Sequence, residues 1–322
     1  MKRLSCFAFV AAAVVAGLAL AGLLLTWCAA TESSSASAVP SPAGQSGPVT
    51  SASAGSEFTV CTASGEQRFP AIYGDVVVWQ DERGTDYDIY GYDLSAGQEF
   101  TVCTAAGNQW SPAIYGDIVV WEDQRGTDYD IYGYDLSAGQ EFTVCTALGS
   151  QRDPAIYGDV VVWTDYRGSA SDSDIYGYDL SAGQEFTICT ASGDQFLPDV
   201  YDDVVVWEDW RGGTSSGHVY GYDLSTQQEF TICVTAGEPE PAIHGDVVIW
   251  ADFRGADSDI YGYDLSAGQE FTVCTASGDQ WGSAIYGDVA VWHDHRGADY
   301  DIYGRRIRSR IYLPIVMRNY GP

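Results

Sequence analysis

One stretch of sequence occurs six times along this chain of 322 residues. Its fullest copy, at residues 71–104, reads AIYGDVVVWQDERGTDYDIYGYDLSAGQEFTVCT. The copies share a tryptophan and a cysteine at fixed places, namely Trp79, Trp121, Trp163, Trp207, Trp250 and Trp292, and Cys61, Cys103, Cys145, Cys189, Cys233 and Cys274. Successive cysteines lie 42, 42, 44, 44 and 41 residues apart. This period is typical of a four-stranded propeller blade and is longer than the common helical repeats.

Each repeat is predicted to form four short strands, because no window has the 3.6-residue apolar period of a helix. The second strand, Val76-Val77-Val78-Trp79, is apolar at every position, which indicates a strand covered on both faces. Gly74-Asp75 favours a tight hairpin, and Gly97 another. The repeat therefore predicts an antiparallel meander, with strands in the first full copy at residues 70–73, 76–79, 88–92 and 99–104.

Six repeats predict an all-β, six-bladed propeller over residues 57–304. The repeats are out of phase with the chain ends, because residues 57–62 are a lone fourth-type strand and residues 301–304 are a third-type strand. We expect residues 57–62 to complete the last blade, which would remove an exposed sheet edge. A second candidate for this place is residues 313–316, but Pro314 would remove a ladder donor.

The repeat resembles that of TolB-like, WD-type β-propellers, whose pattern is P.i..d..v.W…r…dIY.ydl.tG.e..lt. The resemblance covers residues 57–304 and implies the propeller fold. Two departures limit what else it implies. Tyr-Gly-Asp replaces the Ser-Pro-Asp-Gly turn common in the family, and the chain lacks the additional N-terminal domain of TolB, so the envelope-complex role of TolB is not implied.

The N-terminal segment is typical of an exported protein. Lys2-Arg3 precedes an apolar run, so we expect residues 1–30 to be a signal peptide or a lipoprotein or membrane anchor, with Cys28 a candidate for acylation. Residues 31–56 are rich in Ser, Ala, Pro and Gly and carry one charge, which predicts a disordered linker. Residues 305–322 form a basic tail. We expect the protein to lie outside the cytoplasm or on the cell-envelope surface.

The net charge of −30 disfavours nucleic acid and anionic lipid as partners. Contact with a membrane is therefore expected only through the N-terminal anchor, and the propeller is expected to be a monomer. In an exported protein the six repeat cysteines would normally suggest disulfides. However, outer strands of successive blades should lie farther apart than the roughly 7 Å Cα limit for a bridge. We therefore expect six free thiols packed between blades.

Differences between the repeats fall in two connections, those between the fourth and first strands and between the second and third. In a meander both connections emerge at one end of the propeller, so they predict a binding face. Rigid aromatics and arginine, which binding surfaces favour, supply its candidate residues: Arg68, Trp110, Arg152, Tyr166, Phe196, Trp210, Phe253, Trp281 and His295. The alternative is free drift of duplicated loops, because exposed loops vary by default.

Two groups of side chains have donor atoms suited to a metal ion, but a metal site is favoured at neither. Asp81, Asp86 and Asp88 offer oxygen ligands suited to calcium, but their spacing matches no EF-hand. A structural role is expected instead, with Asp81 pairing with Arg83 and the later aspartates capping the third strand. His293 and His295 are two residues apart and lack an evident third zinc ligand, so we expect solvated histidines.

The sequence predicts a binding or scaffold protein that recognises a protein or a glycan and uses no cofactor. It contains no nucleophile elbow, P-loop, dinucleotide fingerprint or HExxH motif, and no catalytic residue is assigned. One alternative is a carbohydrate-active hydrolase or lyase with its site at the channel mouth, because the fold alone excludes no enzyme. Another is a structural protein of a surface layer, which would associate with itself.

Overall fold

The computed structural model describes residues 58–307, apart from residues 170, 212, 214–216, 235–236 and 298. The described residues form six antiparallel sheets. Blade 1 contains β1 (Gln67–Tyr73), β2 (Val76–Asp81), β3 (Asp88–Asp93) and β4 (Gln98–Cys103). Blade 2 contains β5 (Gln109–Tyr115), β6 (Ile118–Asp123), β7 (Asp130–Asp135) and β8 (Gln140–Cys145). Blade 3 contains β9 (Gln151–Tyr157), β10 (Val160–Ser169), β11 (Asp172–Asp179) and β12 (Gln184–Cys189).

The remaining blades follow the same order. Blade 4 contains β13 (Gln195–Tyr201), β14 (Val204–Asp209), β15 (His218–Asp223) and β16 (Gln228–Val234). Blade 5 contains β17 (Ala242–His244), β18 (Val247–Asp252), β19 (Asp259–Asp264) and β20 (Gln269–Cys274). Blade 6 contains β21 (Gln280–Tyr286), β22 (Val289–Asp294) and β23 (Asp301–Arg306). The predicted six-bladed propeller of antiparallel meanders is confirmed.

The first strand of a blade begins earlier than the sequence predicted. β1 starts at Gln67 and contains a register shift between Arg68 and Ala71. Pro70 cannot donate to the ladder, and Phe69 has a φ of 51°, so the chain bulges at this point. β17 is short because Pro239 and Pro241 precede it. The bulge therefore places the residue before the proline at the end of the blade that carries the variable connections.

The hydrophobic core is divided among the contacts between neighbouring blades. Between blades 1 and 2, Val78 and Ile89 pack against Val119 and Trp121, and all four are fully buried. Four further clusters repeat this arrangement as far as blade 6. Each second strand supplies residues to two clusters, which explains why its apolar run is continuous. Burying a side chain of this size stabilises the fold by roughly 1.5–3 kcal/mol.

The six repeat cysteines are free thiols in the structure, as the sequence predicted. Cys103, Cys145, Cys189 and Cys233 belong to the clusters between blades. Burial raises the pKa of the Cys103 thiol to about 12. These thiols are therefore protonated at neutral pH and act as small apolar groups.

The junction of blade 6 with blade 1 differs from the other five. Residues 58–62 lie outside any strand, and blade 6 has three described strands, so closure by an N-terminal strand stays a prediction. Ile302 of β23 is 67% exposed, whereas its counterpart Ile89 is 0% exposed. Ile72 of β1 is 62% exposed, against 8% for Ile114. Glu57, the predicted anchor and linker at residues 1–56, and the tail segment that includes residues 313–316 lie outside the described residues. Among the residues that are described, no helix is long and apolar enough to cross a membrane.

Candidate binding face

The two variable connections of each blade lie side by side. In blade 2 the amide of Gln124, between the second and third strands, donates to the carbonyl oxygen of Asn108, before the first strand, at 2.8 Å. The same hydrogen bond joins Tyr166 to Ser150, Trp210 to Asp194 and His295 to Asp279. The predicted placement of both connections at one end of the propeller is therefore correct. We call this end the variable face.

One glycine in each blade allows the two connections to approach so closely. Gly107 has a φ of 95°, and a Cβ atom there would lie 2.4 Å from the carbonyl oxygen of Gln124. Gly149 and Gly278 have the same conformation and the same close neighbour. Only glycine avoids both the backbone strain and the collision.

The repeated aspartate and arginine of the second connection form a buried structural unit. The Asp123 carboxylate is fully buried and accepts hydrogen bonds from Trp121 Nε1 and from three nitrogens of Arg125, at 2.7–2.9 Å. Arg125 Nη1 also donates to Glu141 on β8, and its Nη2 lies 3.5 Å from Cys103 Sγ of blade 1. The guanidinium carbon lies 4.0 Å from the centre of the Tyr132 ring. We call this unit the Asp–Arg clasp; its pairing was predicted, but its reach to the neighbouring blade was not.

Asp81, the first of the three candidate calcium ligands, belongs to the Asp–Arg clasp of blade 1. Asp81 accepts from Trp79 and Arg83. Asp86 accepts from the amide of Gly107 in the next blade, at 2.9 Å, so it joins two loops instead of capping the third strand. Burial and the neighbouring Asp86 raise the pKa of Asp88 to about 6. Within the described residues no group of three or more His, Cys, Asp or Glu side chains could hold a metal ion.

A set of variable residues, buried in blades 1–5 and half-buried in blade 6, lies in the second strands on the side of the variable face, and sequence reasoning missed it. Its members directly follow the repeated tryptophan: Gln80, Glu122, Thr164, Glu208, Ala251 and His293. Glu122 and Glu208 are each 3% exposed. Four members accept a hydrogen bond from the bulge residue of the next blade, as Glu122 Oε1 does from the amide of Asp153 at 2.9 Å. Their variation between repeats, despite burial, was the pattern that could have identified them.

The bulge residues carry backbone strain. Asp153, Leu197 and Glu240 have φ values of 53°, 49° and 43°. Side chains other than glycine rarely adopt this conformation, at a cost of order 1–3 kcal/mol each, and such residues cluster at binding and active sites. The strain is compatible with a functional channel mouth.

A cavity of about 250 Å³ opens where blades 3, 4 and 5 meet the variable face. Its aromatic walls are two of the sequence-predicted residues, Phe196 and Trp210. The other lining residues are Asp153, Leu197, Glu208, Glu238 and Glu240. The structure therefore brings carboxylates from three blades to one place, and their convergence was not predicted.

Burial is the main cause of the raised pKa values of the carboxyl groups around this cavity. It raises the pKa of Glu208 to about 7, an effect that the nearby Glu238 and Glu240 reinforce and hydrogen bonds from Trp210 and the Glu240 amide oppose. It also raises the pKa of Asp153 and, together with Glu238, that of Glu240. Glu122 has its pKa raised to about 7, again mainly by burial. Near neutral pH this region therefore holds carboxyl groups that can exist in either protonation state.

Two further clusters lie on the variable face outside the cavity. Trp110 packs between Tyr87 and Tyr129, and Arg152 lies over the Tyr129 ring at 3.8 Å. On blade 6, Trp281 stacks on His293 and meets the edge of Tyr300, and His295 stacks on Tyr300. The expectation that both histidines are simply solvated is therefore wrong, because aromatic rings cover a face of each; Nδ1 of His293 is buried as well.

The other predicted site residues lie apart from these clusters. Arg68 is exposed and pairs with Glu66. Tyr166 is a half-buried residue of β10, and burial raises its pKa. Phe253 is 36% exposed beside Gly237. The nine predicted residues thus share a face but form no single pocket.

The opposite end of the channel is lined by aromatic rings that the repeats copy almost unchanged. The first strands of successive blades contact one another, and each ends in a tyrosine or histidine at this end of the channel. The ring centres of neighbours lie 4.4–4.8 Å apart along the series Tyr73, Tyr115, Tyr157, Tyr201, His244 and Tyr286. Most of the diversity is therefore on the variable face; blade 4 is an exception, with Asp202 and Thr226-Gln227 in its opposite turns.

Solved structures similar to this chain are β-propellers. The putative TolB from Agrobacterium tumefaciens is 15% identical, with a TM-score of 0.52, over 78% of this chain and 93% of that one. TolB from Acinetobacter baumannii is 17% identical, with a TM-score of 0.50, over 68% of this chain and 57% of that one. The β-propeller domain of the Trilobed protease from Pyrococcus furiosus, described as having an open velcro topology, is 13% identical, with a TM-score of 0.56, over 78% and 84%.

No protein-family model matches this sequence, and no match was found among curated protein sequences. Likenesses at 13–17% identity establish the fold alone. The chain therefore has a six-bladed β-propeller fold of the kind found in TolB.

Proposed function

We propose that this protein is an extracytoplasmic binding module that recognises a protein or a glycan through its variable face without catalysing a reaction. The observation that carries the proposal is the cavity lined by Phe196 and Trp210, on the end of the propeller where the repeats differ. Rigid aromatic side chains supply much of the binding free energy at recognition sites. At the opposite end the turns are nearly the same in every repeat, so variants there serve as internal controls.

A screen of glycans, cell-wall fragments and envelope proteins with the purified propeller tests this function. We expect the double variant Phe196→Ala/Trp210→Ala, or Trp110→Ala/Trp281→Ala, to weaken capture of the ligand found by at least about tenfold, the usual effect of removing an aromatic anchor. Ser137→Ala, on an exposed turn at the opposite end, is the matched control. Undiminished binding by both double variants would contradict the proposal and favour free drift of the loops.

The cavity carboxylates favour one second candidate, a carbohydrate-active hydrolase or lyase. A glycosidase needs a carboxylic acid that is protonated near neutral pH and a second carboxylate near it. Glu208, with its pKa raised to about 7, and Asp153 line the same cavity. Turnover of an oligosaccharide that disappears in Glu208→Gln would establish the enzyme and overturn the non-catalytic assignment.

We propose that the protein is exported and tethered through residues 1–30, with residues 31–56 as the linker. The support is the basic start, the long apolar run and Cys28 in the sequence. Metabolic labelling with palmitate, with Cys28→Ser as the comparison, distinguishes acylation from a plain signal peptide. Recovery of the unprocessed chain in the cytoplasm would contradict export.

We propose that the acidic loops work without calcium. The Asp–Arg clasp already satisfies Asp81, and the structural role of Asp86 is its hydrogen bond to the next blade. The melting temperature should be the same in calcium and in EDTA. A higher melting temperature in calcium than in EDTA, with the difference abolished by Asp88→Asn, would contradict this proposal.

We propose that residues 57–62 close the ring as the fourth strand of blade 6. Cys61 lies 3.4 Å from Arg83 Nη2 of blade 1, the relation that Cys103 has to Arg125 of blade 2. Arg83, Arg125, Arg167, Arg211 and Arg254 each pair with a glutamate on the fourth strand of their own blade. No such pair is found for Arg296 among the described residues, and Glu57 holds the corresponding sequence position.

A further inference from the structure

Glu208 differs from the other described acidic residues that are no more than 3% exposed, because each of those has an arginine within 4 Å. The clasp aspartates Asp123, Asp165 and Asp209 have no exposed surface, and each pairs with an arginine at 2.7 Å. Glu122 is 3% exposed and has Arg152 at 3.8 Å. Glu208 is equally buried and forms no ion pair with a described residue. A buried carboxylate without a counter-charge is costly to ionise.

The fold does not require a carboxylate at this position. The equivalent residues in blades 1, 3 and 5 are Gln80, Thr164 and Ala251. Glu208 accepts hydrogen bonds from Trp210 Nε1 and from the amide of Glu240. Trp210 donates to Oε1 and the Glu240 amide to Oε2, so a glutamine, with its single acceptor oxygen, could accept only one of these bonds, as Gln80 Oε1 does from the amide of Ser111. Both donors are neutral, so neither supplies a counter-charge for Glu208.

The surroundings of Glu208 are those of a site for a positive charge. The cavity is lined by the aromatic rings of Phe196 and Trp210 and by four carboxyl groups from three blades. None of the described lining residues is cationic. Aromatic faces and carboxylates both attract cations. The cavity volume of about 250 Å³ suits a small group and not a whole polymer.

We propose that this cavity binds a primary ammonium group of the ligand, such as that of a lysine side chain or an amino sugar. The inference rests on the proposed binding function and names the ligand chemistry. The ammonium supplies the counter-charge that Glu208 lacks, and the carboxylates of Asp153 and Glu240 share it. The rings of Phe196 and Trp210 cover the carbon atoms next to the ammonium.

Protonation of the cavity gives binding a defined pH dependence. The ionised carboxylate of Glu208 is the form that attracts the cation, and its pKa is raised to about 7. The charged or titratable groups around it are Asp153 from β9, Arg152, which acts on Asp153, Glu238 and Glu240 before β17, and His293, which acts on Glu240. Binding therefore strengthens as the pH rises from 6 to 8, and protons are released when the ligand binds.

Calorimetric titration at pH 8 with two pairs of small probes tests the inference. Nα-acetyl-lysine amide is compared with its Nε-acetylated form, and glucosamine with N-acetylglucosamine. We expect the ammonium form of at least one pair to bind at least about tenfold more tightly than its neutral partner, as a desolvated charge pair requires. The pair with the larger difference distinguishes a peptide ligand from a sugar.

The matched variants are Glu208→Gln, which keeps the shape and one acceptor oxygen but removes the charge, and Asp159→Asn, an equal charge change on an exposed turn at the opposite end. Glu208→Gln should weaken ammonium binding about tenfold, and Asp159→Asn should leave it unchanged. Equal affinity for charged and neutral probes, or unchanged binding by Glu208→Gln, would overturn the inference, as would a lack of binding at millimolar concentrations. The proposed function fails separately, through the aromatic double variants and the ligand screen.

Discussion

Arg125 holds four parts of the propeller together through one guanidinium group. It pairs with the buried Asp123 and with Glu141 on the outer strand, covers the Tyr132 ring and contacts Cys103 of the preceding blade. Arginine supplies this planar set of donors, and lysine does not. The clasp therefore links strands within a blade and also links neighbouring blades.

Replacing Arg125 with lysine should lower the free energy of unfolding by about 2–4 kcal/mol, because Asp123 stays buried and loses most of its donors. Urea unfolding followed by tryptophan fluorescence measures the change. Arg68→Lys, at an exposed position, is the control and should shift stability by less than about 0.5 kcal/mol. An equal effect of the two substitutions would mean that the clasp contributes no more than a surface ion pair.

Glu208→Gln should stabilise the protein at pH 8 and should not do so at pH 4, where it only removes one acceptor oxygen. Folding raises the pKa of this carboxyl from 4.5 to about 7, so the folded state holds its proton more tightly than the unfolded state. The penalty for ionising it is absent below about pH 4.5, grows as the pH rises and is complete above pH 7. The gain at pH 8 should be about 1–3 kcal/mol.

The difference between variant and wild type in urea unfolding at the two pH values checks this prediction. The exposed Glu82→Gln is the control for a general change in charge. A variant that is less stable than the wild type at pH 8 would mean that Glu208 is compensated in the free protein, which would also remove the basis for a cationic ligand.

Gly107 and Gly116 are a matched pair of glycines for testing how much the close approach of the two connections matters. Both have positive φ, but a Cβ at Gly107 would lie 2.4 Å from a backbone oxygen, whereas a Cβ at Gly116 would have nothing within 4 Å. Gly116→Ala should cost about 1 kcal/mol from backbone strain alone. Gly107→Ala should cost at least about 2 kcal/mol more, because the two connections must separate.

Melting curves of the two variants measure this difference. Gly107→Ala should also disturb the variable face, since the hydrogen bond from Gln124 to Asn108 depends on the close approach. Equal losses of stability would show that the connections separate at little cost.

The elements were largely predictable from the sequence because each is repeated. The continuous run Val76-Val77-Val78-Trp79 predicted a strand buried on both faces, and the structure confirms it. The bulge at Ser111 was not predicted, since its positive φ depends on the proline that follows and on a hydrogen-bond acceptor in another blade. The same limit applies to the cavity: Glu208 and Glu240 are 32 residues apart, and only the packing of blade 4 against blade 5 brings them together.

Across the whole molecule, five junctions between blades are packed and the sixth is predicted to close in the same way. Gly91 of blade 1 accommodates the Phe100 ring, and blade 6 keeps the corresponding Gly304. Phe58, the counterpart of Phe100, is 66% exposed. Moving Phe58 onto Gly304 would bury it together with Ile302 and would cover the open edge of β23. The variable face and its channel mouth depend on this closed ring.

Formation of a disulfide between Cys61 and an introduced cysteine tests closure of the ring. In blade 1, Ile89 pairs with Cys103 across β3 and β4, and the corresponding pair at the junction is Ile302 with Cys61. Residues paired across antiparallel strands lie within disulfide range. Mild oxidation of Ile302→Cys, followed by mass spectrometry of an unreduced digest, should therefore recover a peptide linking positions 61 and 302, whereas Asp288→Cys, at an exposed turn of the same blade, should give none. Free thiols at both positions of Ile302→Cys, or linkage no greater than in Asp288→Cys, would contradict the closed propeller.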